Sequence, residues 1–525
     1  MSFAINAVGL GWGLPSRYGW APDELVPGDV LEAKARRYSG GWHTKYPPLH
    51  YYLLGALYST TPDTVTAAGP PGPAAPARLG AAESNAAYAR LFRRSRALSL
   101  LMAGGVLAAV YVAGCIATAP KPAFLATALV ATMPPFVFYS KLANVDLPSL
   151  FWWALSFLFL LRTLRDHHLV DYLLLAATAA AAVGTKDQMY GLYVLCVPWL
   201  LWSRARRDGR ADARSVLRAA VRREPLAAAT LTLVLLVLLY GLPWNAEGFR
   251  AHLALITGSA SQDFREFAGT VPGHLSLLAQ TVANLAFTLG WPAFTLGLVG
   301  LVASGRKVAG FPPLALITPA VSYYLFFLTV VLYCYDRFVL PVAILLALFG
   351  GAVLARVWDA AGRVALPARA VVVLLLAYGV GRCLSLDLAL LHDARYAAEA
   401  WLGEHAAPPA LVSPTGPLEY LPRMDGLEAR PLGPSVARLR KVEPPFVVVN
   451  ADYTERADPG SGEHELYTGL ESGILGYRLA FAHRYDAPWL LLRTEDLLDR
   501  PGALVRSNIG KVNPEIRVYE REVAR

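Results

Sequence analysis

Charged side chains are scarce in this sequence. Of its 525 residues only 17% are Asp, Glu, Lys or Arg, whereas 55% are hydrophobic, and the mean hydropathy is +0.39. Soluble globular domains carry about 25% charged residues, so this balance excludes an ordinary soluble fold. The composition predicts a polytopic membrane protein.

Cysteine is scarce too. The chain has four cysteines, all in or beside apolar segments: Cys115, Cys196, Cys334 and Cys383. Their spacing matches neither a metal site nor a disulfide framework, so we interpret them as packing residues. The sequence also lacks an internal repeat.

The apolar runs have the length of transmembrane helices. They extend over about 17–23 residues and alternate with short polar loops, as crossing ~30 Å of hydrocarbon requires. Membrane β-barrels, built from strands of about ten alternating residues, are excluded. Residues 2–14 are predicted to be the outer half of a further helix. About 11 helices, an all-α membrane fold, are therefore expected, with spans near 97–117, 122–140, 145–162, 169–185, 188–203, 226–244, 280–303, 311–332, 337–356 and 368–386.

The distribution of arginine predicts the orientation. The segment Arg204–Arg223 is rich in arginine, and such loops stay on the cytoplasmic side. A topology role on an anionic inner leaflet explains this segment and the net charge of +9 without a nucleic-acid partner. The first loop, about residues 15–95, is then outside.

The character of the chain changes after about residue 390. Asp393–His405 has helical periodicity, and we expect strands at 446–450, 489–493 and 512–519. We therefore predict a transmembrane domain over 1–389 and a small extracytoplasmic α/β domain over 390–525. In this second part we find no phosphate-binding glycine loop, nucleophile elbow or metal-binding histidine pair, and Glu463–Glu465 is interpreted as a solvated turn.

With this orientation, the polar residues at the ends of the spans fall on the outer side. We therefore expect one outward-facing cavity that holds carboxylates and cations together. Its candidate residues are Asp23, Glu24, His43, Lys45, His50, Lys141, Asn144, Asp146, Lys186, Asp187, Gln188, Trp244, Asn245, Arg265, Tyr335, Asp336 and Arg337.

These residue types suit sugar transfer from a lipid phosphate. The reaction needs a carboxylate to accept the proton of the acceptor and cations to neutralise the departing phosphate. Asp23 is a candidate base. Arg337, Lys186 and Lys141 are candidate phosphate ligands, and the planar guanidinium can pair with two oxygens at once.

Structural roles compete with these functional ones. Asp23 and Glu24 could begin a helix after Pro22, and Asn144-Val-Asp146 could cap the next span. Lys186 and Asp187 could form a local ion pair, which we favour slightly over a ligand site. Arg337 could be an interfacial anchor that faces lipid headgroups.

Four motifs follow one another in a recognisable order. They are Trp20-Ala-Pro-Asp-Glu24, Lys45-Tyr-Pro-Pro-Leu-His-Tyr-Tyr52, Ser140-Lys-Leu-Ala-Asn-Val-Asp-Leu-Pro148 and Tyr335-Asp-Arg-Phe-Val-Leu-Pro341. Over residues 10–345 the chain resembles the GT-C membrane glycosyltransferases. The resemblance is to the branch of the dolichyl-phosphate-mannose protein mannosyltransferases and the lipid A aminoarabinose transferases.

The resemblance implies a polyprenyl-phosphate monosaccharide donor and inversion at the sugar carbon. It places Asp23 as the catalytic residue, Glu24 as its partner, Asp146 as the second acidic site and Arg337 at the donor phosphate. The segment Tyr46–His50 would belong to a surface helix over the cavity.

The cavity would also be lined by Lys45, His50 and Asn144. Many relatives have His where this chain has Lys45-Tyr46. His43 and His50, in an aromatic segment, are more typical of interfacial packing than of metal ligation. No cofactor is therefore predicted; a divalent metal is possible, but the ligand spacing does not support one.

We therefore predict a multi-pass glycosyltransferase of the plasma membrane with an extracytoplasmic site, acting on a protein, lipid or polysaccharide acceptor. A transporter or lipid flippase is the main alternative, but it should show internal repeats and broken helices with ion sites at mid-membrane. A non-enzymatic assembly or anchoring subunit is a third possibility. It would leave Asp23, Asp146 and Arg337 without a role.

Overall fold

The computed structural model describes residues 6–16, 18–59, 82–209, 212–304, 313–433, 435–454, 457–498, 500 and 502–522. Helices dominate up to residue 405. Their bounds are Pro27–Ala35, Leu49–Tyr58, Ala82–Ala117, Pro120–Ala131, Pro134–Ser140, Asp146–Asp166, Leu169–Thr185, Cys196–Arg207, Ala213–Ala220, Arg223–Leu239, Leu242–Thr257, Val271–Leu289, Trp291–Ala303, Pro313–Tyr323, Leu340–Trp358, Ala365–Leu391 and Ala394–His405.

Several of these helices are long and apolar enough to cross a membrane. Within the described residues there are five, or up to eight if each of three sharply bent pairs is one span. The structure is thus mostly helical with several apolar helices, as expected, whereas the number of 11 is not confirmed.

The bends follow from local sequence. The helices Val271–Leu289 and Trp291–Ala303 meet at 111°, so the predicted continuous span over 280–303 is wrong. Gly290 has a φ of +78°, which favours glycine because it has no Cβ, and Pro292 follows in the next helix, where a first-turn proline is tolerated. A second break lies at Gly241, whose φ is +67°; the helices before and after it meet at 77°.

The first loop, which is predicted to be outside, folds into a small layer of its own. Its two helices, Pro27–Ala35 and Leu49–Tyr58, share a buried apolar cluster that includes Val30, Trp42 and Leu54. The second of them contains Leu49 and His50 of the predicted surface helix, whereas residues 46–48 precede it. The stretch 67–82 is rich in Ala, Pro and Gly, which predicts a flexible insertion, and it lies almost wholly outside the described residues. The described part of the predicted helix 2–14 is mostly turns, in which Trp12 is buried.

The C-terminal part contains a five-stranded sheet. Its strands are β1 (Leu411–Pro414), β2 (Glu428–Ala429), β3 (Phe446–Asn450), β4 (Tyr477–His483) and β5 (Ile516–Arg521), in the order β2-β1-β3-β5-β4. β1 is parallel to β2 and β3, and β5 is antiparallel to β3 and β4.

Helices cover both faces of this sheet. The helix Ala394–His405 packs on one face, and the helices Val436–Val442 and Gly462–Glu471 pack on the other. The predicted helix at 393–405 and strand at 446–450 are confirmed. Glu463–Glu465 form the exposed first turn of a helix, which Ser461 caps, and not a free turn.

A segment between β4 and β5 leaves the sheet and packs on the membrane helices. Leu492, Leu497, Ile509 and Val512 belong to the same buried cluster as the transmembrane helices. The predicted strand at 489–493 is therefore wrong: the segment is irregular, and Leu491 N–H donates to Ser385 Oγ of the helix Ala365–Leu391. Only Leu492 of this segment is buried, whereas Trp489 and Leu491 are exposed.

Candidate active site

Asp23 lies in a turn and not at a helix start. Its φ is +58°, a left-handed conformation that Asp and Asn tolerate better than other residues with a Cβ. The next helix begins only at Pro27, and its N-terminus has no side-chain cap. The capping alternative for Asp23 is therefore excluded, and the strained turn instead fixes the direction of its carboxylate.

Arg337 links the two predicted carboxylates. Its Nη1 donates to Oδ2 of Asp23 at 2.7 Å, and its Nε lies 4.0 Å from Oδ1 of Asp146. These residues come from the first loop, the start of the helix Asp146–Asp166 and the loop before the helix Leu340–Trp358. The structure thus brings together the three residues on which the sequence argument depends.

Two lysines complete the cluster. Lys45 Nζ lies 3.1 Å from Oδ1 of Asp23, and Lys186 forms a buried ion pair with Asp146. Asn144 Nδ2 donates to the other oxygen of Asp146 at 3.0 Å. We call Asp23, Lys45, Asp146, Lys186 and Arg337 the ion cluster. Its three cations face two carboxylates, so it carries excess positive charge.

Access to the ion cluster is graded. The side chains of Lys45 and Asp23 are 45% and 23% exposed, whereas those of Lys186 and Asp146 are only 8% and 4% exposed. The cluster thus has an open rim and a closed floor. Within the described residues, Nε of Arg337 is buried and has no hydrogen-bond partner, a costly state that an oxygen ligand would relieve.

The electrostatics keep Asp23 ionised. Burial by itself raises the pKa of this carboxyl, but Arg337 and Lys45 outweigh burial and hold the pKa well below its usual value. The Arg337 guanidinium also lies over the rings of Tyr335 and Phe338, at 4.9 and 5.6 Å from the ring centroids. These aromatic faces hold the cation in place.

Glu24 does not join Asp23. Its two oxygens accept hydrogen bonds from Nε and Nη2 of Arg96 at 2.7 and 2.8 Å, and Oε1 also accepts from the N–H of Ala143. Both side chains of the pair are buried. A carboxylate with these bonds is not available to a substrate, so the role predicted for Glu24 is corrected to a structural one.

Lys141 is also directed away from the ion cluster. It forms a buried ion pair with Asp387 on the helix Ala365–Leu391, which replaces its predicted role at a phosphate. His50 is fully buried, neither ring nitrogen has a partner among the described residues, and burial lowers its pKa to about 4. This neutral ring makes no hydrogen bond to the cluster, and its predicted place in the lining of the cavity stays a prediction.

The favoured local pair of Lys186 with Asp187 is not formed. Lys186 turns to Asp146, while Asp187 accepts from Tyr240 Oη at 2.6 Å and lies 3.2 Å from His252 Nε2. The Asp146 side chain does not cap its own helix, but Asn144 Oδ1 accepts from the N–H of Asp146 at 3.2 Å, so Asn144 takes part of the predicted capping role. Arg337, only 11% exposed, is not a headgroup anchor.

Sequence reasoning missed the helix Leu242–Thr257 as a support for the first loop. Asn245, at a break inside this helix, accepts from Gly41 N–H and donates to Trp42 O at 2.9 and 2.6 Å, and His252 lies 2.8 Å from Thr44 O. The only sequence signal was Gly241-Leu-Pro243, which marks a break in the span.

A segment from the C-terminal part also reaches the site. Ser507 Oγ donates to Asp336, whose other oxygen accepts from Tyr139 Oη and from the N–H of Arg337. Arg506 lies over the ring of Tyr335 at 4.6 Å, and Arg337 also contacts this ring.

Among the described residues no three His, Cys, Asp or Glu side chains form a group that could hold a metal ion.

Comparison with known proteins agrees with the motifs. Residues 92–239 match the family model of the dolichyl-phosphate-mannose-protein mannosyltransferases, a range that includes Asp146 and Lys186 but not Asp23 or Arg337. No curated protein matches.

Among solved structures, the chain is similar to ArnT from Cupriavidus metallidurans bound to undecaprenyl phosphate, with 13% identity, 98% of this chain and 97% of that chain covered, and a TM-score of 0.49. It is also similar to the oligosaccharyltransferase AglB from Archaeoglobus fulgidus in complex with an inhibitory peptide and a dolichol-phosphate, with 12% identity, coverage of 99% and 87%, and a TM-score of 0.46.

The family match confirms the resemblance that the ordered motifs predicted, and it favours sugar transfer over the transporter alternative. Over residues 92–239 the chain is thus similar to a family of mannosyltransferases that use a lipid-phosphate sugar donor.

Proposed function

We propose that this enzyme moves a sugar from a polyprenyl-phosphate donor to an acceptor at the outer face of the plasma membrane, and that the ion cluster is its active site. The observation that carries the proposal is the bridge from Arg337 to both Asp23 and Asp146. It places a candidate base beside cations that suit a phosphate.

The donor phosphate would enter at Arg337 and Lys186. The excess positive charge of the cluster would be balanced by a phosphate, and the buried Nε of Arg337 would gain an oxygen acceptor. A lipid-linked donor arrives through the bilayer, so no glycine-rich phosphate loop is needed. Because the phosphate competes with Asp23 for Arg337, binding would free this carboxylate.

The freed carboxylate of Asp23 would then act as the base. The acceptor oxygen attacks the anomeric carbon, its proton passes to Asp23, and the bond from that carbon to the phosphate oxygen breaks. The electron pair leaves with the polyprenyl phosphate, whose charge Arg337 and Lys186 stabilise. Inversion follows if attack is opposite to the phosphate. Asp146 would orient Lys186 and Arg337 from the floor of the site.

The membrane domain is proposed to extend over residues 1–389 and the C-terminal domain over residues 390–525, on the outer side with the site. The acceptor, a protein, lipid or polysaccharide, would approach from the open rim formed by Lys45 and Asp23. This rim is the exposed side of the cluster.

The substitution Asp23→Asn tests the proposal. Asn tolerates the left-handed backbone and keeps the shape of the side chain, but it cannot accept the proton, so turnover should fall by roughly two to four orders of magnitude. We would measure transfer from a panel of polyprenyl-phosphate sugars, donor binding and melting temperature on one preparation in lipid.

Glu24→Gln is the matched control, because it changes the neighbouring carboxylate and breaks the buried pair with Arg96. It should lower the melting temperature. Near-normal transfer by the Asp23→Asn protein would remove Asp23 from the reaction.

A further inference from the structure

His252 joins two segments that each carry a lysine of the ion cluster. Its Nδ1 lies 2.8 Å from the carbonyl oxygen of Thr44, and its Nε2 lies 3.2 and 3.3 Å from the two oxygens of Asp187. Thr44 precedes Lys45, and Asp187 follows Lys186. The side chain is only 6% exposed.

The partners define the protonation state of this ring. A backbone carbonyl and a carboxylate are both acceptors, so each ring nitrogen must carry a hydrogen to bond to them. Only the imidazolium has two N–H groups. Loss of either proton would set a nitrogen lone pair against an oxygen, and one of the two links would break.

The surrounding contacts make this link sensitive to small displacements. Asn245 holds the backbone of Gly41 and Trp42 from the same helix. A Cβ on Gly248 would lie 2.2 Å from Trp42 O, so the helix and loop pack without a gap. The titratable groups that face His252 are Asp187, Tyr240 and, across a small cavity, His43 and Tyr46.

We propose that His252 is a positioning residue which, as an imidazolium, ties the first outer loop to the turn after the helix Leu169–Thr185. The tie fixes Lys45 at Asp23 and Lys186 at Asp146. The inference rests on the proposed function, because these lysines would contact the donor phosphate and the base. Binding of the phosphate therefore depends on the proton held by His252 and Asp187.

The test measures binding of undecaprenyl phosphate to the full-length protein in lipid nanodiscs between pH 6 and 9. The wild-type protein should bind more tightly than His252→Gln at pH 6, by up to about 100-fold, the scale of a misplaced functional group. The ratio should fall toward one as the pH rises and the wild-type ring loses its second proton. Titration of the phosphate itself cancels in this ratio.

His43→Gln is the control, because this histidine is exposed and lines the same small cavity. It should keep the wild-type pH dependence. Gly248→Ala should weaken binding at every pH without changing the pH dependence. If His252→Gln does not fold, Asp187→Asn provides the same comparison, since it removes the carboxylate that holds the proton.

A constant ratio from pH 6 to 9 would overturn the role of His252 and leave the proposed function intact. Absence of binding by the wild-type protein at every pH would overturn the donor assignment and this inference together. If His252→Gln keeps the pH dependence of binding and His43→Gln loses it, the pH dependence belongs to His43, and the role of His252 is overturned.

Discussion

At the scale of single residues, charge pairing separates candidates that look alike in the sequence. Asp23 and Glu24 are neighbours, yet one faces a partly open cluster and the other a closed pair with Arg96. Lys186 and Lys141 both follow apolar helices, yet only Lys186 reaches Asp146. A buried pair away from the ion cluster supports the fold, whereas a charge inside the cluster can exchange its partner for a substrate.

Arg337 provides a prediction at this scale. Arg337→Ala should weaken binding of a polyprenyl phosphate by about 2–5 kcal/mol, because it removes a buried cation that faces two carboxylates. Arg337→Lys should recover part of this loss, since it restores the charge without the planar fork. Binding would be measured from the rise in melting temperature with ligand. Wild-type affinity in the Ala variant would place the phosphate elsewhere.

At the scale of elements, the loop between Val331 and Leu340 is held from two sides. Asp336 joins it to Tyr139 in the membrane helices and to Ser507 in the C-terminal part. Burial, only partly offset by the bond from Ser507 and the charge of Arg337, raises the pKa of Asp336 to about 6. The loop that presents Arg337 therefore contains a group that titrates near neutrality.

This shift predicts a pH dependence of stability. The folded state binds the proton of Asp336 more tightly than the unfolded state. Protonated Asp336 therefore adds to the free energy of unfolding at low pH, and this contribution is lost as the pH rises through about 6. The melting temperature of the wild-type protein, relative to Asp336→Asn, should fall between about pH 4 and pH 7. Ser507→Ala should move this window upward, since it removes a donor to the carboxylate. If the melting temperatures of wild type and Asp336→Asn change with pH in parallel, Asp336 is not the group responsible.

At the scale of the whole molecule, the site and the arginine-rich segment lie at opposite ends of the helices. The helix Asp146–Asp166 has 21 residues, about 31 Å at the usual rise, which is close to the hydrocarbon thickness. Asp146 is at the cluster end, and Arg165 O accepts from Arg207 Nη1 at the other. The segment between β4 and β5 shares a buried cluster with the membrane helices, so it docks the C-terminal part to them.

This arrangement predicts the topology. A reporter fused after Arg210 should be cytoplasmic, and one fused after Arg525 should be extracytoplasmic, because arginine-rich loops stay inside. Protease protection or a pair of compartment-specific reporters in cells would check this. Fusions that report the same side would refute both the orientation and the outward-facing site.

The sequence by itself determined the properties that depend on local order along the chain. Hydropathy over windows of about 20 residues indicated the membrane helices, and the order of four motifs indicated the family. Asp23, Asp146 and Arg337 could be predicted as site residues because the position of a residue in a motif is visible in the sequence. The position of a helix break such as the one at Gly290 could not be predicted from hydropathy, because the helices on both sides of the bend are equally apolar.

Only the tertiary structure decided which charges meet. Asp23 and Arg337 are 314 positions apart, and His252 and Thr44 are 208 apart, so no local pattern links them. Glu24 and Lys141 had the residue types of a site, but their buried partners Arg96 and Asp387 direct them away from the ion cluster. An ion pair at a few ångströms depends on how helices pack, and packing is fixed by the sum of many weak contacts from the whole chain.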